Sequence, residues 1–392
     1  MTSKVPLVRD TLDRRDIDKL IEWLQGFPRL TKGELTVQLE KKWSEWLGVK
    51  HSVFVNSGSS ANLASVYALI LSGKMKNKKI VVPAVSWVTT VSPCIQFGLE
   101  PILCDCNVEN LGLDIDAFKE IVAKESPSAV IIVHVLGVPN DMNEVKKICD
   151  DNDIILIEDS CEAIGSEYDG KKVGNFGDIS TFSFYFGHHI STIEGGMIST
   201  NDEDIYHLLL SLRSHGWDRD LPSHKREEMR SESGVNDFRA LYTFYHPGFN
   251  LRSTDLQAFL GIQQMEKLDM VVHRREENFN IYNKLIKNLE WKISPSKEMF
   301  VSNFAYPIVT KKIDALISAL DANGIECRPL ICGSIGRHPF WTKRYGISCC
   351  ENADYIHDYG IYLPNNHEMT EMEIEFVCEV VNGVLSGEKN DK

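Results

Sequence analysis

Between residues 50 and 200 the chain repeats one pattern: a short apolar run, a polar turn, then helical periodicity. Apolar runs fall at 51–55, 79–83, 99–104, 129–135 and 154–157, and helical spacing at 61–71, 115–123 and 143–150. Runs this rich in apolar residues, with little polar alternation, are strands covered on both faces. The pattern therefore calls for a mostly parallel sheet with helices on either side, an α/β fold. Two helices are expected ahead of it. One, over 14–25, has Ile17, Leu20, Ile21 and Leu24 on one face; the other, over 34–47, has a stripe of Leu35, Val37, Leu39, Trp43 and Trp46. Both are expected to pack on a core.

Beyond residue 200 a helix over 203–213 leads into a charged stretch, 221–239, too long for a plain connection and expected to be mobile or functional. A helix starting at 254 or 255 is expected to run past Val271 toward Leu289, bridging to a smaller α+β domain with a strand over 302–309 and a helix over 313–323. This divides the chain into an arm and helix (1–30), a large domain (31–255) and a bridging helix with small domain (256–392). The tail from Ser386 is expected to fray.

Polar residues collect at the ends of the apolar runs. Asn56-Ser57-Gly58-Ser59-Ser60 is a small-residue turn feeding a helix N-terminus, whose free N–H groups and dipole suit a phosphate, although a plain N-cap has the same appearance. Asp159 follows a buried strand, where α/β sheets bind ligands; it too has a simpler reading, as a helix cap. Over 180–198, Thr181, Ser183 and Tyr185 alternate with Phe182, Phe184 and Phe186, the period of a half-buried strand. His188 and His189 sit on the turn that follows, and Glu194-Gly195-Gly196 lets the chain reverse.

The segments Ser57–Asn62, Trp87, Asp159, Phe182-Ser183-Phe184, Glu194-Gly195-Gly196 and Gly248-Phe249-Asn250-Leu251-Arg252 come in one order. In that order they resemble the DegT/DnrJ/EryC1/StrS sugar aminotransferases, which use pyridoxal phosphate (PLP). The resemblance implies an aspartate-aminotransferase-like fold (fold type I). It places Ser57, Gly58 and Ser59 at the cofactor phosphate, Trp87 on the pyridine ring, Asp159 at the ring nitrogen and Ser183 beside the cofactor. It places Glu162, where the family has glutamine, near the phenolic oxygen. Asn250 then reaches the phosphate of a neighbouring subunit, which implies a homodimer with active sites at its interface. His215 and Arg219 are candidate substrate contacts. Arg328 is a candidate for a diphosphate or carboxylate, or else one half of a surface ion pair.

At the position of the family's Schiff-base lysine stands His188. Imidazole forms no Schiff base, but its pKa near neutrality suits proton transfer. The histidine branch works with pyridoxamine phosphate (PMP). It removes the C3 hydroxyl of a nucleotide-linked 4-keto-6-deoxyhexose, with GDP the implied nucleotide, and glutamate restores PMP. One group within that branch also carries an iron–sulfur cluster. No cysteine lies between Cys161 and Cys327, and Cys327, Cys332, Cys349 and Cys350 lack the later ligand spacing, so no cluster is expected. The competing expectations are an aminotransferase that tolerates histidine and an inactive PLP-fold partner. His189 is expected to be structural or orienting.

Composition excludes other classes. A net charge of −14 disfavours nucleic acid. The ten cysteines form no zinc-site spacing, and thiols are the default in a reducing compartment. With no apolar run of about 18 residues and no signal-like N-terminus, the expectation is a cytoplasmic protein off the membrane.

Overall fold

The apolar runs assemble into one seven-stranded sheet. A computed structural model describes residues 5–291 and 293–387. Its central strands are β1 (His51–Val55), β2 (Lys79–Pro83), β3 (Glu100–Cys104), β4 (Ala129–Val133), β5 (Ile155–Asp159), β6 (Ile179–Ser183) and β7 (Gly196–Thr200). Their order is β1-β7-β6-β5-β4-β2-β3. Only β7 runs against its neighbours, as an antiparallel partner of both β1 and β6. Successive residues feed opposite cores: Ala129 and Ile131 pack on one side of the sheet, Val130 and Ile132 on the other. Helices cover both faces, which is why the runs carry no polar alternation.

Helices α1 (Arg14–Gln25), α2 (Glu34–Leu47) and α3 (Gly58–Leu71) form where the spacing places them, α3 with three residues more at its start. Core packing of α1 is corrected. Ile17, Ile21 and Leu24 are exposed, as is Val37 of α2. Polar bonds hold α1 instead: buried Asp16 accepts from Lys267 Nζ at 2.7 Å and from Gln264 Nε2 at 2.8 Å. Trp23 stacks on Phe259 at 4.9 Å.

The half-buried strand over 180–186 is also corrected. β6 ends at Ser183 and is buried throughout, because it lies inside the sheet; Tyr185 and Phe186 lie beyond it and are exposed. The charged stretch 221–239 contains two helices, Ser223–Glu232 and Asp237–Ala240. The single bridging helix is two, Asp255–Met265 and Leu268–Leu285, and the second stops short of Leu289. In the small domain, Gly360–Leu363 pairs antiparallel with both Tyr306–Val309 and Arg328–Pro329. Val5 joins this unit through a parallel bridge to Ile325, so the N-terminal arm packs with the small domain. The tail residues 388–392 lie outside the described residues. No helix among the described residues is long and apolar enough to cross a membrane.

Candidate active site

At the carboxyl ends of the parallel strands, where the small domain closes over the sheet, lies a cavity of about 530 Å³. Gly58, Trp87, Asp159, Glu162, His188 and Arg328 line it, together with Ser59 and Ser183. No lysine does.

The turn before α3 feeds the helix N-terminus as the sequence pattern predicts, and Gly58 and Ser59 of that turn line the cavity. Ser57 turns its hydroxyl to its own helix, accepting from Ser60 N at 3.0 Å, and does not line the cavity. Gly58 must be glycine: a Cβ there would stand 2.6 Å from Ser183 Cβ and 3.1 Å from Cys161 Sγ. The backbone of the first turn therefore faces the cavity bare, as an anion requires.

Asp159 ends β5, 4% exposed. Asn62 Nδ2 and Thr90 Oγ1 each donate to Oδ2 at 2.8 Å, and Cys161 N donates to Oδ1 at 3.2 Å. Thr181 Oγ1 donates in turn to Asn62 Oδ1 at 2.7 Å, which fixes the amide's orientation. Among the described residues this buried carboxylate has three neutral donors and no ion-pair partner. The chemistry of this carboxyl, held by neutral donors at the edge of the cavity, fits a partner such as a pyridine nitrogen. Glu162 Oε2 accepts from Leu136 N at 2.8 Å. Burial first, and Asp159 nearby, push its carboxyl up to about 8, against the pull of that N–H.

His188 follows β6 on a turn closed by its own N–H to the Tyr185 carbonyl at 2.9 Å. Its Nδ1 is buried without a hydrogen-bond partner, and its ring lies 5.1 Å from that of Phe304. Burial, then the charge of Arg275, pushes the imidazole down to about 4; the Cys161 carbonyl works the other way. His189 is fully buried and points away, with Nε2 donating to the Ser302 carbonyl at 3.1 Å.

Arg328 lines the cavity and forms no ion pair among the described residues; its Nη1 donates to the Cys327 carbonyl at 2.9 Å. His215, Arg219 and Asn250 lie outside this lining. They share a separate double loop, held by His215 N to the Phe249 carbonyl at 2.6 Å and Tyr245 N to the Gly216 carbonyl at 2.8 Å. Arg219 lies 3.8 Å over the Trp217 ring, and Asn250 is exposed. Sequence reasoning missed Phe304 and Tyr362, which line the cavity from the small domain, and Arg275, which lies behind His188. No local signal marks them.

The profile of the DegT/DnrJ/EryC1/StrS aminotransferase family matches residues 10–382. The chain is 34% identical over 387 residues to the GDP-4-keto-6-deoxy-D-mannose 3-dehydratase of Escherichia coli O55:H7, covering 96% of this chain and 99% of that protein. The structure of the E. coli dehydratase with bound hydrated PLP matches with a TM-score of 0.89 at 34% identity, over 97% of this chain and 100% of that one. A structure of GDP-4-keto-6-deoxymannose-3-dehydratase holding a trapped PLP–glutamate geminal diamine also matches at 0.89 and 34%, over 96% and 100%. The fold is thus the α/β, aspartate-aminotransferase-like one that the sequence implied.

Proposed function

Because the chain belongs to the DegT/DnrJ/EryC1/StrS aminotransferase family and its cavity holds a histidine and, among the described residues, no lysine, we propose that it is a PLP/PMP-dependent sugar 3-dehydratase. Its substrate is a nucleotide-linked 4-keto-6-deoxyhexose, GDP-4-keto-6-deoxymannose, and glutamate is its amino donor. The net change is sugar plus glutamate to 3-deoxy sugar, 2-oxoglutarate and ammonia. The observation that carries this is His188, an imidazole facing the cavity where an aminotransferase needs a primary amine.

Bound PMP supplies an amine for the C4 ketone and a ring that takes up electrons when a proton leaves. His188 takes that proton: kept neutral by its surroundings, it is a free base at physiological pH. Asp159 holds the ring nitrogen protonated, its carboxylate fixed by Asn62 and Thr90. Gly58, Ser59 and the first turn of α3 hold the phosphate, Ser57 braces that turn, and Ser183 closes its other side. Trp87 and Glu162 line the same cavity; Trp87 would cover the ring of the bound cofactor, and Glu162, protonated below about pH 8, would donate toward its phenolic oxygen. Arg328 holds the glutamate carboxylate or the diphosphate.

The active unit in this reading is a homodimer. The exposed apolar side chains of α1 and the double loop (Ile17, Ile21, Phe238 and Tyr242) support an interface. The position of Asn250, His215 and Arg219 outside their own cavity supports service to the partner's. The same reading places the enzyme in the cytoplasm, where its ten thiols stay reduced.

The test is incubation with PLP, glutamate and GDP-4-keto-6-deoxymannose, followed by mass spectrometry. The expected product has lost the C3 oxygen. A 4-amino sugar that keeps it would establish the aminotransferase reading instead, and failure to bind PMP would make the chain an inactive partner.

A further inference from the structure

His188 and Glu162 stand on different elements, yet one buried polar network reaches both. At its centre is Arg275, midway along Leu268–Leu285 and 1% exposed. Among the described residues it has no carboxylate partner. Its guanidinium donates only to carbonyls: Phe304 at 2.8 Å, Asn303 at 3.5 Å, Asn365, and His188 at 3.4 Å. The first three belong to the small domain, and the fourth is the turn that carries the imidazole. Amides surround this hub. Asn365 Nδ2 donates to Asn303 Oδ1 at 3.0 Å and to the Arg275 carbonyl at 3.0 Å, and Asn278 Nδ2 donates to Asn365 Oδ1 at 3.0 Å. Asn303 Nδ2 donates to the Leu136 carbonyl at 2.8 Å, and Leu136 N is the donor that holds Glu162.

An unpaired cation is costly to bury, and a neutral amide of the kind around it would tie the same carbonyls together at less cost. The charge itself therefore needs an explanation. The titratable groups that share the cavity lining with His188 are Asp159, Cys161, Glu162, Tyr185, Arg328, Cys332 and Tyr362; His189 lies beside it on its turn, and Arg275 lies behind. The cavity lining holds a second cation, Arg328, but the charge that acts on the ring is that of Arg275.

We propose that Arg275 is a positioning residue for His188: it clamps the backbone of that turn and the Phe304 segment to the small domain, and its unpaired charge adds to burial in disfavouring the imidazolium. The inference rests on His188 as the proton-handling group. Geometry and charge make separate contributions, and two substitutions separate them. Arg275→Gln removes the charge. Arg275→Lys keeps it but cannot span four carbonyls.

The experiment titrates the histidine resonances of the full-length, cofactor-free protein labelled with nitrogen-15 histidine, with the His188 signal assigned by its loss in His188→Asn. In Arg275→Gln the His188 midpoint is expected to rise by about one pH unit, and the acid limb of kcat/KM to move with it. In Arg275→Lys the midpoint is expected to stay, while kcat falls about tenfold and KM for glutamate holds within about twofold. A midpoint unmoved by glutamine, or a kcat unmoved by lysine, overturns the proposal. If the glutamine variant does not fold, the lysine variant decides alone: lost kcat with an unmoved midpoint supports the proposal, and unchanged kcat overturns it. A purely structural arginine would lower the melting temperature and leave the midpoint in place. Failure of the His188 reading is a different result, full dehydration by His188→Asn, and does not touch the titration.

Discussion

Glu162 and His188 are displaced in opposite directions by the same physical cause. Burial penalises the charged form of each, so the carboxyl rises to about 8 and the imidazole falls to about 4. At neutral pH the acid carries its proton and the base lacks one, the pairing that a proton-transfer site requires. The alkaline limb of activity therefore belongs to Glu162. We predict that the parent loses activity as pH rises through about 8, when the carboxyl ionises. Glu162→Gln keeps a neutral donor at the same place, so it is expected to abolish that limb and retain activity within about tenfold. A pH profile of kcat for the two proteins checks this. A glutamine variant that still falls off above pH 8 would assign the limb to another group. The departure of Glu162 from the family's glutamine was readable in the sequence. Its proton at pH 7 was not, because that depends on the depth of the cavity and on the Leu136 amide.

Between residue and fold lies the junction of β6, β7 and the turn before α3. Here backbone packs on backbone. A Cβ at Gly196 would stand 2.3 Å from the Ser57 carbonyl oxygen, and one at Gly58 would meet Ser183. Gly196→Ala is expected to destabilise the fold by about 2–4 kcal/mol, since the colliding atom is main chain and cannot swing aside. Gly58→Ala is expected to weaken PLP binding at least about tenfold, because its methyl would stand 2.6 Å from Ser183 Cβ and force apart the turn and β6, which both border the cavity. Denaturant melts check the first and equilibrium dialysis the second. The elements themselves were legible: β2, α1 and α2 have the bounds that their periodicity set. The strand over 129–135 was drawn too long. It stops at Val133 because Val135–Gly137 turns sharply, with Leu136 at φ 51°, and local apolarity carries no mark of that turn.

The proposed dimer makes a prediction that a single chain cannot satisfy. Mixing His188→Asn chains with Asn250→Ala chains, each inactive alone, and refolding them together should restore about a quarter of the parent's activity, because half the dimers are mixed and each has one intact site. No recovery would mean that Asn250 serves its own chain or none. Acid stability also belongs to the whole molecule. His188, His189 and His367 are held below their usual range in the folded state, so their contribution is complete above about pH 6.5 and is lost as pH falls from there, for His188 and His367 toward about 4. Glu162 opposes them, releasing a proton on unfolding. Near pH 5.5 these four groups take up about two protons net, three gained and one lost, so the melting temperature should drop between pH 7 and 5. Calorimetry across that range checks the sign. The sequence by itself determined the layers, the strand-end chemistry and the exchange of an amine for an imidazole, because these are local: period, turn residues and motif order are written in neighbouring positions. Tertiary structure alone decided that α1 turns Ile17 and Ile21 outward, that Asn250 is exposed and outside the cavity lining, and that Arg275 comes to lie behind His188, 87 residues away in the chain. Each depends on which distant surface an element meets, and burial, the quantity that sets the charges here, is a property of the assembled fold.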